Sequence, residues 1–238
     1  MGISITTEER MDHQDEYYDN LITMLELIWG EGYMTPGGSD NVEKMFNGIE
    51  TAGKRILDIG CGLGGQAFEM VNTFGADVVG IDLEAPLIKR ATEAATKMGL
   101  QDRCKFYAVK AGALDFPDQS FDIVATSAAI TQVKDKANIF GECYRVLKPG
   151  GYLTCYDWTK SEEPLSEDMF YWFKIEGLTF ALETLEEYKV HLKKIGYIDV
   201  TIKDASDWYR NQVRREYELI KGRLYPRMVE RLGQKDAD

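Results

Sequence analysis

Between residues 55 and 158 the chain alternates short apolar segments with amphipathic ones, and this restricts its fold more than any other feature. The apolar segments read "RILDIG" (55–60), "DVVGID" (77–82), "CKFYAV" (104–109), "FDIVATS" (121–127) and "GYLTCYDW" (151–158). Between most of them, apolar residues recur at helical spacing over 64–74, 85–98 and 134–147. Strands apolar on both faces belong in a parallel sheet covered by helices on both sides. The expected fold is therefore α/β and Rossmann-like, a mostly parallel twisted sheet with helices on both faces.

The flanks read differently. An amphipathic helix is expected from about Gln14 to Trp29, stopped by "GEGYMTPGGSD", with a second helix following. After Trp158 comes an acidic, then aromatic stretch, followed by a helix on "TLEEYKVHLKKIG", a strand on "DVTIKDA" (199–205) and a long helix over 207–232. These textures divide the chain into an N-terminal helical lid (1–50), a cofactor-binding core (51–158), a lid insertion (159–182) and a C-terminal part of the core (183–238).

The net charge of −12 and pI near 4.8 argue against a nucleic-acid backbone as partner. Cys61, Cys104, Cys143 and Cys155 form no CxxC pair, and His13 and His191 are the only histidines, so no metal site is expected. No apolar run approaches the length of a membrane span, and the cytoplasm is the expected compartment.

The loop "LDIGCGLGGQ" (57–66) joins the first strand to its helix, and Gly60, Gly62 and Gly65 satisfy G-x-G-x-x-G. Such glycines let backbone approach a ligand but do not choose among adenosine cofactors. Asp58, two residues before Gly60, does help to choose. A carboxylate there disfavours a pyrophosphate, as NAD would require, by an energy on the order of a few kcal/mol. It suits a cofactor with an ammonium group and no phosphate, as S-adenosylmethionine has. Asp82, ending the second strand, can take both hydroxyls of a ribose.

"RILDIGCGLGG", "VVGIDL", "FPDQSFDIV" and "RVLKPGGYL", in this order, resemble the class I S-adenosylmethionine-dependent methyltransferases. With "IWGEGYMTPGG", the "TLEEY" helix and "DASDWYRNQ", nearly the whole chain is similar to the phosphoethanolamine and allied small-amine N-methyltransferases. The resemblance implies S-adenosylmethionine as cofactor. It places Met34, Thr35, Asp58, Gly60, Cys61, Gly62, Gln66, Asp82, Leu83 and Ser127 around that cofactor, with the backbone of Ala111 and Gly112 meeting adenine. It also places Tyr17 where a family tyrosine closes over the active site.

The departures from that family bear on the acceptor. The family's Asp–Ala–Ile–x–His run after the fourth strand reads Ala128–Ala129–Ile130–Thr131–Gln132 here, and both titrating members are absent. Trp158 stands where a phosphate-binding tyrosine is implied, and Lys174 falls near another such position. The expected acceptor site thus consists of Tyr17, Tyr33, Ala128, Gln132, Trp158, Tyr171 and Lys174, with Tyr17 and Gln132 orienting the acceptor. The expected reaction is methyl transfer to nitrogen or sulfur of a small polar amine or thioether, and phosphoethanolamine is not the expected substrate. The alternatives are O-methylation of a small hydroxy or carboxylic acid, or cofactor binding without catalysis. The family's last, antiparallel strand has no counterpart here, and an unpaired sheet edge can pair with a second subunit into a homodimer.

Overall fold

A computed structural model describes residues 19–176 and 179–237. Five parallel strands form one sheet in the order β3-β2-β1-β4-β5: β1 (Arg55–Ile59), β2 (Asp77–Asp82), β3 (Cys104–Ala108), β4 (Phe121–Ser127) and β5 (Leu147–Tyr156). The order reverses direction between β1 and β4, so the carboxyl ends of these two strands flank a crevice, where ligands of open α/β sheets bind. The α/β, Rossmann-like sheet expected from the sequence, parallel and covered by helices on both faces, is the fold observed.

The period-2 alternation of strand side chains builds two cores from one sheet. Ile56, Val78 and Ile123 point to the face covered by α2 (Gly38–Phe46) and α3 (Gly65–Asn72), joining Val42, Phe46, Phe68 and Met70. Leu57, Val79 and Val124 point to the other, joining Phe121, Phe140, Cys143 and Tyr188 from α5 (Lys136–Val146), α7 (Leu185–Ile195) and their surroundings. Ile56, Leu57, Phe121 and Val124 are wholly buried, which is why β1 and β4 read as continuous apolar runs.

The remaining helices are α1 (Asp19–Trp29), α4 (Ala85–Lys97), α6 (Glu167–Glu176), α8 (Ser206–Leu219), α9 (Tyr225–Leu232) and α10 (Gln234–Ala237). At α7 a capping box forms, Thr184 Oγ1 accepting from Glu187 N and Glu187 accepting from Thr184 N, and Gly196 ends the helix in the left-handed region.

Two expectations fail. Residues 199–205 form no strand among the described residues: the β-branched run Val200–Thr201–Ile202 has no partner, and β5 is the sheet edge. The long helix expected over 207–232 is broken, because Gly222 takes a non-helical conformation (φ −101°, ψ −107°) inside a π-type segment, Ile220–Leu224. Gly222 is the residue that gives most readily there. No helix among the described residues is long and apolar enough to cross a membrane.

Candidate active site

The loop after β1 is pinned before it meets any ligand. Gly60 N and Cys61 N both donate to Ile81 O, at 2.8 and 3.1 Å, and Gly62 N donates to Asp82 Oδ2 at 2.9 Å. Gly60 and Gly62 have φ of 73° and 52°, a region where glycine is not penalised. A β-carbon on Gly60 would lie 2.3 Å from Ala129 Cβ, so the glycine loop touches the turn that leaves β4.

The N-terminal turn closes over the same loop. Gly65 N donates to Gly32 O at 3.0 Å, and Gly32 N donates to Glu26 Oε1 at 2.8 Å. Tyr33 hydroxyl and Ser39 Oγ both donate to the Glu69 carboxylate on α3. Tyr33, Met34, Thr35, Gly38, Asn41, Asp58, Gly60, Cys61, Gly62, Gln66 and Ser127 line one pocket between these segments. Eight of the cofactor residues expected from sequence, namely Met34, Thr35, Asp58, Gly60, Cys61, Gly62, Gln66 and Ser127, are thus brought together.

Asp58 is the electrostatic centre. It is buried, Gln66 Nε2 donates to its Oδ1 at 2.8 Å, and its Oδ2 has no partner. Burial, helped by the Asp82 charge and opposed by the Gln66 hydrogen bond, pushes its carboxyl up to about 7. A buried carboxylate oxygen without a partner, on a residue that lines this pocket, suits the ammonium of a cofactor such as S-adenosylmethionine. Asp82 accepts one backbone N–H on each oxygen, from Gly62 and Glu84, and keeps a lone pair on each for the ribose hydroxyls. Burial, with Asp58 and Asp82 nearby, raises the Cys61 thiol, so it stays protonated and inert.

The other four expected cofactor residues, Asp82, Leu83, Ala111 and Gly112, lie outside this pocket's lining, Asp82 at the end of β2. Leu83, Ala111 and Gly112 are exposed on the loops after β2 and β3.

In the turn after β4, where acceptor residues are expected from sequence, Ala128 takes the left-handed conformation (φ 58°), its N–H donating to Tyr156 O at 2.8 Å. The turn ends in a 3₁₀ segment, Ile130–Gln132, tied to the end of β5 and to the arm before α7. Thr131 N donates to Asp157 Oδ1 (3.0 Å), Thr131 Oγ1 to Trp158 O (3.3 Å), and Ala181 N to Thr131 O (2.8 Å). Asp157 Oδ2 accepts from Tyr188 hydroxyl, and buried Lys136 donates to Val133 O and Ala181 O. Gln132 is half-buried at the end of this turn, outside the pocket lining.

Trp158 stacks on Trp172 at 4.5 Å between centroids, with Phe180 and Tyr209 around it. Tyr171 and Lys174 are exposed on α6 instead of joining this stack. Tyr17 lies outside the described residues. Sequence reading missed Asn41, whose Nδ2 donates to Ser127 Oγ at 3.2 Å, and it missed the buried Lys136 and Glu216 and the half-buried Asp157. The signal available for Glu216 was the spacing Trp208, Gln212, Glu216, which puts all three on one face of α8.

A family profile described as "Methyltransferase domain" matches residues 50–217, well over half of the chain. The chain belongs to that family. Among its relatives, phosphoethanolamine N-methyltransferase 3 of Arabidopsis thaliana is 30% identical over 86% of this chain and 41% of its own length. The Plasmodium falciparum phosphoethanolamine N-methyltransferase is 27% identical over 91% of this chain and 81% of its own. Phosphoethanolamine N-methyltransferase 2 of Haemonchus contortus, solved with S-adenosyl-L-methionine, superposes with a TM-score of 0.87 at 28% identity, over 94% of this chain and 51% of its own. This methyltransferase domain therefore spans less than half the length of the plant relative. The Haemonchus protein was solved with S-adenosyl-L-methionine, and the pocket lined by Asp58 holds a buried, unpartnered carboxylate oxygen that suits an ammonium-bearing cofactor of that kind.

Proposed function

We propose that this methyltransferase domain transfers a methyl group to nitrogen or sulfur of a small polar metabolite, an amine or a thioether, and not to phosphoethanolamine. The observation that carries the reading is the turn 128–132, which leaves β4 beside Ser127 and holds no group that titrates near neutrality. Such a turn suits an acceptor that already has a lone pair.

When bound, S-adenosylmethionine supplies an electrophilic methyl on sulfonium. The chain's own work is then binding, orientation and exclusion of water. Asp58 holds the cofactor's ammonium and Asp82 its ribose. Gln132 offers an amide to orient the acceptor, and Tyr17 and Tyr33 close over it. Residues 159–182 act as the lid, bringing Trp172 against Trp158. Tyr171 and Lys174 reach the acceptor only if the lid rearranges, since both are exposed on α6.

Transfer to oxygen would need a base. Asp157 has its carboxyl pushed up to about 6 by burial, but Thr131 N and Tyr188 hydroxyl occupy its two oxygens, so it supports the turn instead. Trp158 stands where the sequence resemblance implies a phosphate-binding tyrosine. An aromatic stack recognises no dianion.

The test is incubation with methyl-labelled S-adenosylmethionine and a panel of amines, thioethers, hydroxy acids and phosphoethanolamine, read by mass. Label in an amine or thioether is expected. Label in phosphoethanolamine would overturn the substrate reading.

A further inference from the structure

Glu216 is only 6% exposed on α8, yet no salt bridge among the described residues reaches it. Its Oε1 accepts from Gly37 N at 3.3 Å and from Gln212 Nε2 at 2.7 Å, both neutral donors. A buried carboxylate left without a cation is costly, and few side chains are kept that way without a use. Its place is informative. Gly38, next to Gly37, lines the cofactor pocket together with Asn41 and Ser127.

Two aromatic rings gather near Gly37, to which this carboxylate is hydrogen-bonded. Trp208, two turns earlier on the same face of α8, packs so closely on Gly37 that a β-carbon there would lie 2.6 Å from its Cη2. Tyr156 meets Trp208 edge-on at 5.9 Å, and in the sheet it is the register partner of Ser127. Tyr209, Glu216 and Asp157 all act electrostatically on the Tyr156 hydroxyl, which makes no hydrogen bond among the described residues and is kept protonated chiefly by burial. Lys44 places its Nζ 4.7 Å from the Trp208 centroid while donating to Asp40 O, so this ring already accepts a cation.

We propose that Glu216, with Tyr156 and Trp208 beside it, forms the anionic end of the acceptor site, and that the acceptor carries, apart from the nitrogen or sulfur lone pair that takes the methyl, a separate ammonium or alkylated ammonium group and no phosphate. This rests on the methyltransferase reading above. The carboxylate supplies the charge that the turn 128–132 lacks, and the rings supply faces and edges suited to a bulky, weakly hydrated cation. The same charge repels a phosphate dianion. Glu216 is thus a substrate-binding residue contributed by the C-terminal helices.

The experiment uses the full chain saturated with S-adenosylhomocysteine and titrated with choline, phosphocholine and 3,3-dimethylbutan-1-ol, the neutral isostere of choline, by calorimetry. Choline is expected to bind at least tenfold more tightly than either of the others. Glu216→Gln keeps an oxygen for Gly37 N and Gln212, so a merely structural role survives it. The expected result is a tenfold or greater loss of choline affinity, with S-adenosylhomocysteine affinity and the thermal midpoint unchanged. Unchanged choline affinity in Glu216→Gln, equal binding of choline and its isostere, or preference for phosphocholine would each overturn the proposal. Should Glu216→Gln fail to fold, Tyr156→Leu, which removes the ring and its face, makes the same comparison, with weaker choline binding and unchanged binding of the isostere expected, and no change overturning it. If wild-type chain does not bind S-adenosylhomocysteine, the methyltransferase reading fails first, and the two failures are thereby told apart.

Discussion

Gln66 donates from Nε2 to Oδ1 of Asp58 at 2.8 Å, while the other oxygen of that carboxylate, Oδ2, is buried with no partner. One neutral hydrogen bond does not offset the burial of a charge, so the Asp58 carboxyl rises to about 7. Because its folded value lies above its unfolded one, the folded chain holds a proton between about pH 4 and pH 7 that the unfolded chain has lost. Cofactor-free stability therefore falls as pH rises through this window, by an amount on the order of 4 kcal/mol. Asp157, raised to about 6, acts in the same direction.

Asp58→Asn should thus match wild type at about pH 4 and exceed it in thermal midpoint at pH 8, when both are free of cofactor. The same change should weaken S-adenosylhomocysteine binding by roughly 100-fold, because a charge-assisted hydrogen bond is lost. In wild type, that affinity should be about tenfold lower at pH 6 than at pH 8. A pH-independent affinity would show that Asp58 does not hold the ammonium.

Ala128 bears on the departure from the family. At φ 58° it occupies a region where a β-carbon costs about 1–2 kcal/mol and where aspartate is better tolerated. Ala128→Gly relieves that strain and returns part of it as unfolded-state entropy. The expected net gain is about 0.5–1 kcal/mol, read from the urea midpoint. A loss would mean that the Ala128 methyl packs usefully. Ala128→Asp should keep the fold, restoring the family's carboxylate on an unchanged backbone.

Much of the frame was readable because period-2 and period-3.6 patterns survive in the sequence wherever burial is strong. Ile56, Leu57, Ile123 and Val124 announce their strands by burial on both faces. Asp58 and Asp82 announce themselves by position, each at the carboxyl end of a strand. Residues 199–205 misled because strand propensity is local and pairing is not. The latch of Lys136 on Ala181 joins residues 45 apart through a fold that no spacing encodes. Glu216 was hidden for a related reason: a glutamate on a polar helix reads as solvated until another element covers it.

Gly65 tests the closure of the N-terminal turn. A β-carbon on it would lie 2.6 Å from Gly32 C and O, which are backbone atoms. Gly65→Ala must therefore push the turn 32–35 away from the glycine loop, at a cost of about 1–3 kcal/mol. Both segments line the pocket, so S-adenosylhomocysteine affinity should fall at least tenfold. Gly141→Ala on α5 is the control: nothing lies within 4 Å of its added carbon, and helix propensity predicts a gain of about 0.5–1 kcal/mol. Equal effects of the two substitutions would deny the close approach of Gly32 and Gly65 any role.

Lys136 ties the turn after β4 to the arm before α7. Its side chain is buried, and Nζ donates to Val133 O at 2.8 Å and Ala181 O at 2.5 Å, spanning the turn after β4 and the arm before α7. Lys136→Met fills the space but leaves both carbonyls without this donor, for a cost of about 1–3 kcal/mol. Thr131 still holds Ala181 by one hydrogen bond, so the arm loosens without detaching. Phe180 precedes Ala181 and lies 4.6 Å from the Trp172 ring, which itself stacks on Trp158, so loosening the arm should disturb the stack. The near-ultraviolet circular dichroism of the coupled tryptophans should weaken, while S-adenosylhomocysteine affinity stays within about twofold, because Lys136 lies outside that pocket's lining. An unchanged tryptophan signal with an unchanged thermal midpoint would mean that Lys136 is not the latch.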